Sequence, residues 1–530
     1  MPFSRLFCDY IEKSEQTIPF YNGYHSYEVL REVVSGYRFQ GDRKAAAEIL
    51  AGFNASFSLD AKARENLTAL ADDDTVTITT GQQVNLVGGP LYTVFKTLSV
   101  IQLAKVLSRD TGRNVVPVFW LADEDHDYDE IAVATLPGKK KPLKVTLPCD
   151  DCARHAAGSL QVDDKRFETF RKEVYELLPD TDFHHELTKL LNDCYRVGNS
   201  FRDAFGQMLA HLFSGHGLIF AGSNFPEAKK LTTGKIRTAI VKADAVKEEL
   251  TKQSEQIAAN YHQQAHVSDS LLFWHDDTHG RVRLKHDDGV WSREPNVTLT
   301  TDELLEKLQA EPERFSPNVY LRPVIQDALL PNAAYVGGPA EIAYYGQMKG
   351  LYRLFEQEMP FLAARLSATL VEPSVYRLLK DLPYEYSDYV RRFEDLEQHY
   401  LRNYGDPELD AHFEKWKQEV EELTRQKTTE IGIEDPGLKK HSQAITKEHI
   451  KAIDKLRKKV VNAVRQKEEV QINRLKKVKS ALFPDDRLQE REISFIYFMN
   501  KYGPDIWNQI LEQLDTDSPS LFTRHLYIHL

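Results

Sequence analysis

The segment from residue 75 to residue 130 constrains the fold more than any other, because strand and helix signals alternate there with polar turns. Val76-Thr77-Ile78-Thr79-Thr80 is a β-branched run of the kind that fills a buried strand. Gly81-Gln82-Gln83 and Gly88-Gly89-Pro90 then predict a turn, followed by an apolar helix over residues 92–107. Val115-Val116-Pro117-Val118-Phe119-Trp120-Leu121 predicts a second strand, which empties into Asp123-Glu124-Asp125-His126-Asp127-Tyr128-Asp129-Glu130. Open α/β sheets bind ligands outside the carboxyl ends of their strands. One such end carries glycine and amide and the other carboxylate and imidazole, so the active centre is expected here.

At 530 residues, about three domains are expected, since single cores stop growing near ~250–300 residues. The 68 basic and 80 acidic residues leave a formal charge of −12, which argues against nucleic acid as a partner. No run approaches the roughly 18 apolar residues that span a bilayer. No long apolar stretch follows Met1-Pro2-Phe3-Ser4-Arg5 as in a secretory signal. Cys8, Cys149, Cys152 and Cys194 do not suggest a disulfide framework. The expectation is a soluble cytoplasmic protein without a membrane or nucleic-acid partner.

Residues 1–74 read as a helical segment, and residues 75–264 as the first part of the core, with an insert around 136–215. A further strand is expected at Gly217-Leu218-Ile219-Phe220-Ala221-Gly222. Residues 265–316 read as one small antiparallel meander, and 317–384 as the second part of the core. The latter opens on a polar, glycine-rich turn at residues 330–341. From 385 to 485 Lys, Glu, Gln and Leu dominate. Leu409, Phe413, Trp416, Val420 and Leu423 step by four and three, as in a coiled-coil seam. A second long helix carries Ile445, His449, Ile453, Leu456, Val460, Val464 and onward to Leu482, with a turn at Pro436-Gly437 between the two. The result is an antiparallel helical hairpin, with residues 486–530 as a C-terminal helical segment.

The glycine turns suit anion binding through backbone N–H groups, although they match neither GxGxxG nor a P-loop; a turn needing glycine for geometry alone is the alternative. Lys96, one helical turn beyond Tyr92, either faces the same ligand or lies on the surface. His126 among Asp123, Glu124, Asp125, Asp127 and Asp129 suits a proton acceptor, a divalent-metal site, or merely a helix cap. Cys149-x-x-Cys152 offers one close pair where zinc wants two, so free thiols are expected. His184, His185, His275, His279 and His286 read as surface or turn residues.

Four blocks carry a resemblance. They are Thr80-Gly81-Gln82-Gln83 through Gly89-Pro90-Leu91-Tyr92-Thr93, and Pro117-Val118-Phe119-Trp120 through Glu124-Asp125-His126-Asp127-x-Asp129-Glu130-Ile131. The others are Arg314-Phe315-Ser316-Pro317-Asn318-Val319 through Arg322-Pro323, and Leu330-Pro331 through Ala334-Tyr335-Val336-Gly337-Gly338-Pro339-x-Glu341-Ile342-x-Tyr344. Leu488-Gln489-Glu490-Arg491 and Asn500-Lys501-Tyr502-Gly503-Pro504 match as well. Nearly end to end, the chain resembles the bacillithiol biosynthesis cysteine-adding enzymes. That resemblance implies an α/β, Rossmann-like core similar to class I synthetases, with connecting inserts and a long antiparallel coiled coil that supports a homodimer.

The resemblance also implies a ligase that joins cysteine to the amine of glucosaminyl-malate as an amide. ATP, with Mg²⁺ as its companion, is the natural activator of the carboxylate, and no tightly bound metal is expected. Catalytic roles fall on His126, Asp125 and Glu124. Substrate or nucleotide contacts fall on Gly81, Gln82, Gln83, Gly88, Gly89, Tyr92, Lys96, Asn332, Tyr335, Gly337, Gly338 and Glu341. Two rivals stay open: a metal-dependent hydrolase using the acidic loop, and a non-catalytic coiled-coil scaffold.

Overall fold

The computed structural model describes residues 3–138, 141–150, 152–294, 296–514 and 521–530. The chain divides into two compact units. One comprises Met1–Pro137, Leu143–Ala368 and Glu490–Leu526; the other comprises Gly138–Pro142, Thr369–Gln489 and Tyr527–Leu530.

The first unit is built on a five-stranded parallel sheet. Its order is Phe361–Ala364, Asn332–Gly337, Thr75–Gln83, Asn114–Ala122, Ile219–Ala221. The chain winds outward in one direction from Thr75–Gln83 and later in the other, so the strand order reverses beside that strand. A reversal of this kind opens a crevice at the carboxyl ends of the two neighbouring strands. Val76, Ile78, Val116, Val118 and Phe119 are fully buried, as strands covered on both faces require.

Gly81-Gln82-Gln83 is strand rather than turn: Gly81 pairs with Trp120, Gln82 with Leu121 and Gln83 with Ala122. The cause is the neighbouring strand, which runs on to Ala122 and supplies ladder partners. The expected turn at residues 330–341 is corrected in the same way. Its middle is the buried strand Asn332–Gly337, held between Thr75–Gln83 and Phe361–Ala364. The helix Leu91–Thr111 covers the sheet and stops at Gly112, whose φ of +72° is the left-handed conformation glycine adopts freely. Ahead of the sheet, Ser4, Ser26, Asp42 and Asp60 each cap a short helix by accepting a backbone N–H.

The expected single meander is two antiparallel sheets. Phe315–Pro317, Leu272–Asp276 and Gly280–Arg283 form the first; Val297–Thr300, Val290–Arg293 and Lys285–Asp287 form the second. The chain passes from one to the other at Leu284, buried in the core, whose N–H still reaches Leu272 O at 3.0 Å.

In the second unit, Leu409–Glu430 and Pro436–Lys467 form an antiparallel helical pair. Arg457 reaches Asp410 at 2.6 Å, Lys417 reaches Asp454 at 2.6 Å, and Thr428 meets Ser442 at 2.7 Å. Asp435 caps the second helix and Pro436 occupies its first turn. The long second helix expected from the apolar stripe breaks at Glu468, and Glu469–Leu482 continues as a separate helix. Phe413 and Ile453 are buried, whereas Leu423, Ile445 and Leu456 remain exposed.

Candidate active site

A cavity of about 570 Å³ opens at the carboxyl ends of Thr75–Gln83 and Asn332–Gly337. Gly81, Gln82, Gln83, Tyr92 and Lys96 form one wall, and Tyr335, Gly338 and Glu341 another. Glu124, Asp125, His126 and Glu130 come from the loop after the second strand. Arg281 and Arg283 come from the β insert, Arg322 and Arg365 from the second half of the core, and Arg491 from the segment that returns near the C-terminus. Pockets of this kind, at a topological switch point and with convergent polar groups, are ordinary ligand sites.

Lys96 is buried, not a surface lysine. Its Nζ donates to Gly81 O at 2.7 Å and Gln82 Oε1 at 3.0 Å, and pairs with Glu341 Oε2 at 2.6 Å. Burial lowers its pKa, and the Glu341 charge works against that shift. Glu341 also accepts Tyr335 Oη at 2.6 Å and Gly338 N–H at 2.8 Å. Burial pushes the Glu341 pKa up, but Lys96 and Tyr335 outweigh it and hold the carboxyl below its usual range. An ammonium has three hydrogens, so these contacts leave Lys96 no free donor.

On the acidic loop, Gln83 Nε2 donates to Asp125 Oδ2 at 2.7 Å, and the His126 N–H donates to Asp125 Oδ1 at 2.8 Å. Burial opposes ionisation of Asp125, yet hydrogen bonds from His126 and Gln83 and the charge of Arg281 hold its pKa well below the usual value. Arg281 donates to His126 Nδ1 at 2.8 Å. Asp127, not His126, caps the short helix Tyr128–Ile131. The Glu130 carboxyl is pushed up, first by partial loss of solvation in the cleft and then by Asp127 and Asp125, against the pull of Gln83.

Glu124 lines the cavity but is committed elsewhere: Lys229 pairs with it at 2.7 Å and Ser223 Oγ donates at 2.5 Å. Those partners overcome burial and lower its pKa. Asp123 is fully buried behind the loop, and its pKa is pushed up to about 7 by burial and then by Glu124.

Gly88, Gly89, Asn332 and Gly337 do not line the cavity. Gly88 packs against Phe495 and Met208, and Gly89 against Asn85. Asn332 is buried and donates to Asp327 at 2.7 Å, while Gly337 lies within its strand. Conversely, Glu130 and the five arginines were not singled out from the sequence. Glu130 stood inside the acidic block, and Arg322 and Arg491 inside the resemblance blocks, but Arg281 and Arg283 carried no local signal.

Among the other histidines, His286 is buried on its strand against Trp291, and burial lowers the pKa of His275 to about 4, so neither is a surface turn residue. The expected free thiols are corrected too. Cys149 and Cys152, with Cα atoms 5.6 Å apart, are joined in a disulfide, while Cys8 and Cys194 are free. Among the described residues no group of three or more His, Cys, Asp or Glu is placed to hold a metal ion, and no helix is long and apolar enough to cross a membrane.

Among the described residues, Gln83 Oε1, Trp120 Nε1 and Arg365 Nε on the cavity residues are buried without a hydrogen-bond partner, whereas Glu124 Oε1 is met by the Lys229 ion pair. Buried polar groups are otherwise almost always paired.

Comparison with known proteins agrees along nearly the whole chain. A family model described as "Bacillithiol biosynthesis BshC, N-terminal Rossmann-like domain" matches residues 2–366. One described as "Bacillithiol biosynthesis BshC, C-terminal coiled-coil domain" matches residues 368–522. A Salinibacter ruber protein named "Putative cysteine ligase BshC" is 32% identical over 521 residues, covering 97% of this chain and 95% of its own length. A Bacillus cereus protein of the same name is 31% identical over 467 residues, covering 87% of this chain and 86% of its own. Apart from Arg491, the residues lining the cavity fall within the part matched by the Rossmann-like model, and the chain belongs to the bacillithiol biosynthesis BshC family.

Proposed function

We propose that this chain is a cysteine ligase, joining the carboxyl group of cysteine to the amine of glucosaminyl-malate as an amide, in the cavity at the strand ends. One observation supports this site: Arg281, Arg283, Arg322, Arg365 and Arg491 line a single cleft with Asp125 and Glu130, although Arg281 is partly engaged by His126 and Arg365 by Glu490. Both substrates carry carboxylates, and guanidinium groups match carboxylate and phosphate oxygens. A carboxylate does not condense with an amine in water unless activated. ATP is the proposed second substrate: the cysteine carboxylate attacks a phosphorus atom and displaces either pyrophosphate or ADP. The amine then attacks the acyl carbon, expelling AMP or phosphate and releasing one proton to a carboxylate.

Gln82, Gln83, Tyr92, Tyr335 and Gly338 orient the bound groups in this reading. Lys96 and Glu341 fix the wall that carries them. Mg²⁺ would arrive bound to the ATP phosphates. A homodimer through the helical pair would cover exposed Leu423, Leu438 and Ile445, and a cytoplasmic setting accords with ATP as substrate.

The test is mass spectrometry of the purified protein with cysteine, glucosaminyl-malate, ATP and Mg²⁺. Bacillithiol with stoichiometric AMP is expected for an adenylate, and with ADP for an acyl-phosphate. No amide product while both substrates bind would overturn the ligase reading.

A further inference from the structure

The guanidinium of Arg281 is held by three hydrogen bonds and an aromatic face. Its Nε donates to Ser316 Oγ at 3.0 Å, its Nη2 to Pro317 O at 2.7 Å, and its Nη1 to His126 Nδ1 at 2.8 Å. The group stacks 3.8 Å from the centroid of Phe273. A guanidinium donates only and does not give up its proton in a protein. Nδ1 of His126 must therefore present its lone pair, and the ring hydrogen sits on Nε2. The other groups facing the ring do not alter this. Asp125 Oδ1, 3.7 Å from Nδ1, already accepts the backbone N–H of His126, and Phe273 lies 5.8 Å away between ring centroids. Arg283, from the same insert, lies over Phe273 rather than on the imidazole.

We infer that Arg281 is a positioning residue that makes His126 a hydrogen-bond donor in the ligation step, not its base. The inference rests on the ligase reading. As the amine nitrogen attacks the acyl carbon, the carbonyl electron pair moves onto oxygen, and the Nε2–H of His126 stabilises that oxyanion. The amine proton passes to the Glu130 carboxylate, which lines the same cavity. Collapse then restores the carbonyl and expels AMP or phosphate with its bonding pair. With Nδ1 occupied and Nε2 already protonated, the imidazole has no site left to take that proton. The cation of Arg281 strengthens the donor without adding a charge to the ring.

Two measurements test the inference. The first is ¹⁵N NMR of the histidine-labelled full chain, with His126 assigned by difference from His126→Gln. It needs no turnover, so it stands even if the ligase reading fails on the product assay. Wild type should show the neutral ring with hydrogen on Nε2. Arg281→Lys should keep that form, and Arg281→Met should lose it while melting near the wild-type temperature. A ring found with hydrogen on Nδ1, or doubly protonated, at neutral pH overturns the inference.

The second measurement is kinetic. A glutamine amide nitrogen can replace the Nε2–H as donor but cannot act as a base. His126→Gln should therefore retain at least about tenfold more kcat than His126→Ala, which should lose about 10²-fold. Equal losses in the two variants would mean that the ring takes the proton, and would overturn the inference.

Discussion

Lys96 Nζ stands 2.6 Å from Glu341 Oε2, tying the helix Leu91–Thr111 to the helix Pro339–Tyr345 at the point where the strand order reverses. Both side chains are largely out of solvent, at 4% and 20% exposure. Breaking such a pair from one side leaves a buried charge behind and costs about 3–5 kcal/mol. Glu341→Ala should lower stability by that order in a denaturant melt, and Lys96→Met combined with Glu341→Leu should recover much of it without restoring turnover. A Glu341→Ala protein as stable as wild type would rule out this anchoring role.

Glu130 should carry the acid limb of the rate profile. Although the residue is exposed at the surface, its pKa is raised by partial loss of solvation in the cleft and secondarily by Asp127 and Asp125. A base works only when ionised, so kcat should climb as pH passes upward through a value above that of an ordinary glutamate. Glu130→Gln should reduce kcat by about 10²-fold or more and remove that limb. An unchanged limb in the variant would place the base elsewhere.

Asp123 predicts a pH-dependent stability penalty. Its folded pKa is raised to about 7 by burial and then by Glu124. Between the unfolded carboxylate value and about 7, the folded state holds a proton that the unfolded chain has lost. Stability should therefore fall with rising pH across that window and level off above it. Asp123→Asn removes the titration and should stabilise by on the order of 3 kcal/mol at about pH 8, with little gain near pH 4. Melting curves of both proteins at the two pH values decide; an equal gain at both would sink the assignment.

Gly88 is a packing glycine rather than a ligand contact. Its φ is +89°, and a Cβ there would overlap the Phe495 ring and approach Met208 at 2.8 Å. Gly88→Ala should cost about 1–3 kcal/mol through strain and overpacking. The KM for each substrate should stay within about threefold in the fraction that folds. A large KM change without loss of stability would return Gly88 to the binding surface.

The strands Thr75–Gln83 and Asn114–Ala122 were legible over residues 76–80 and 115–121, where apolar and β-branched runs carry the burial themselves, but not over residues 81–83. The strand Asn332–Gly337 was not. Pro331 and Asn332 at one end and Gly337-Gly338 at the other are turn formers, and only four apolar residues lie between them. It becomes a strand because ladders on both sides claim its backbone groups. The long second helix was legible as a stripe, yet its break at Glu468 was not, since no proline or glycine marks it.

At the site, the loop residues Asp125 and His126 and the wall residues Gln82, Gln83, Tyr335 and Gly338 were visible from strand-end position and resemblance. The sequence by itself determined which strand ends carry polar chemistry, because that depends on neighbours along the chain. Only the tertiary structure decided that Arg281 meets His126 across 155 positions, that Lys96 is spent on Glu341, and that Arg365 and Glu490 form a buried pair 2.7 Å apart. Hydrogen bonds and ion pairs act over a few ångströms in space, and distance along a chain does not specify them until strands and inserts are packed.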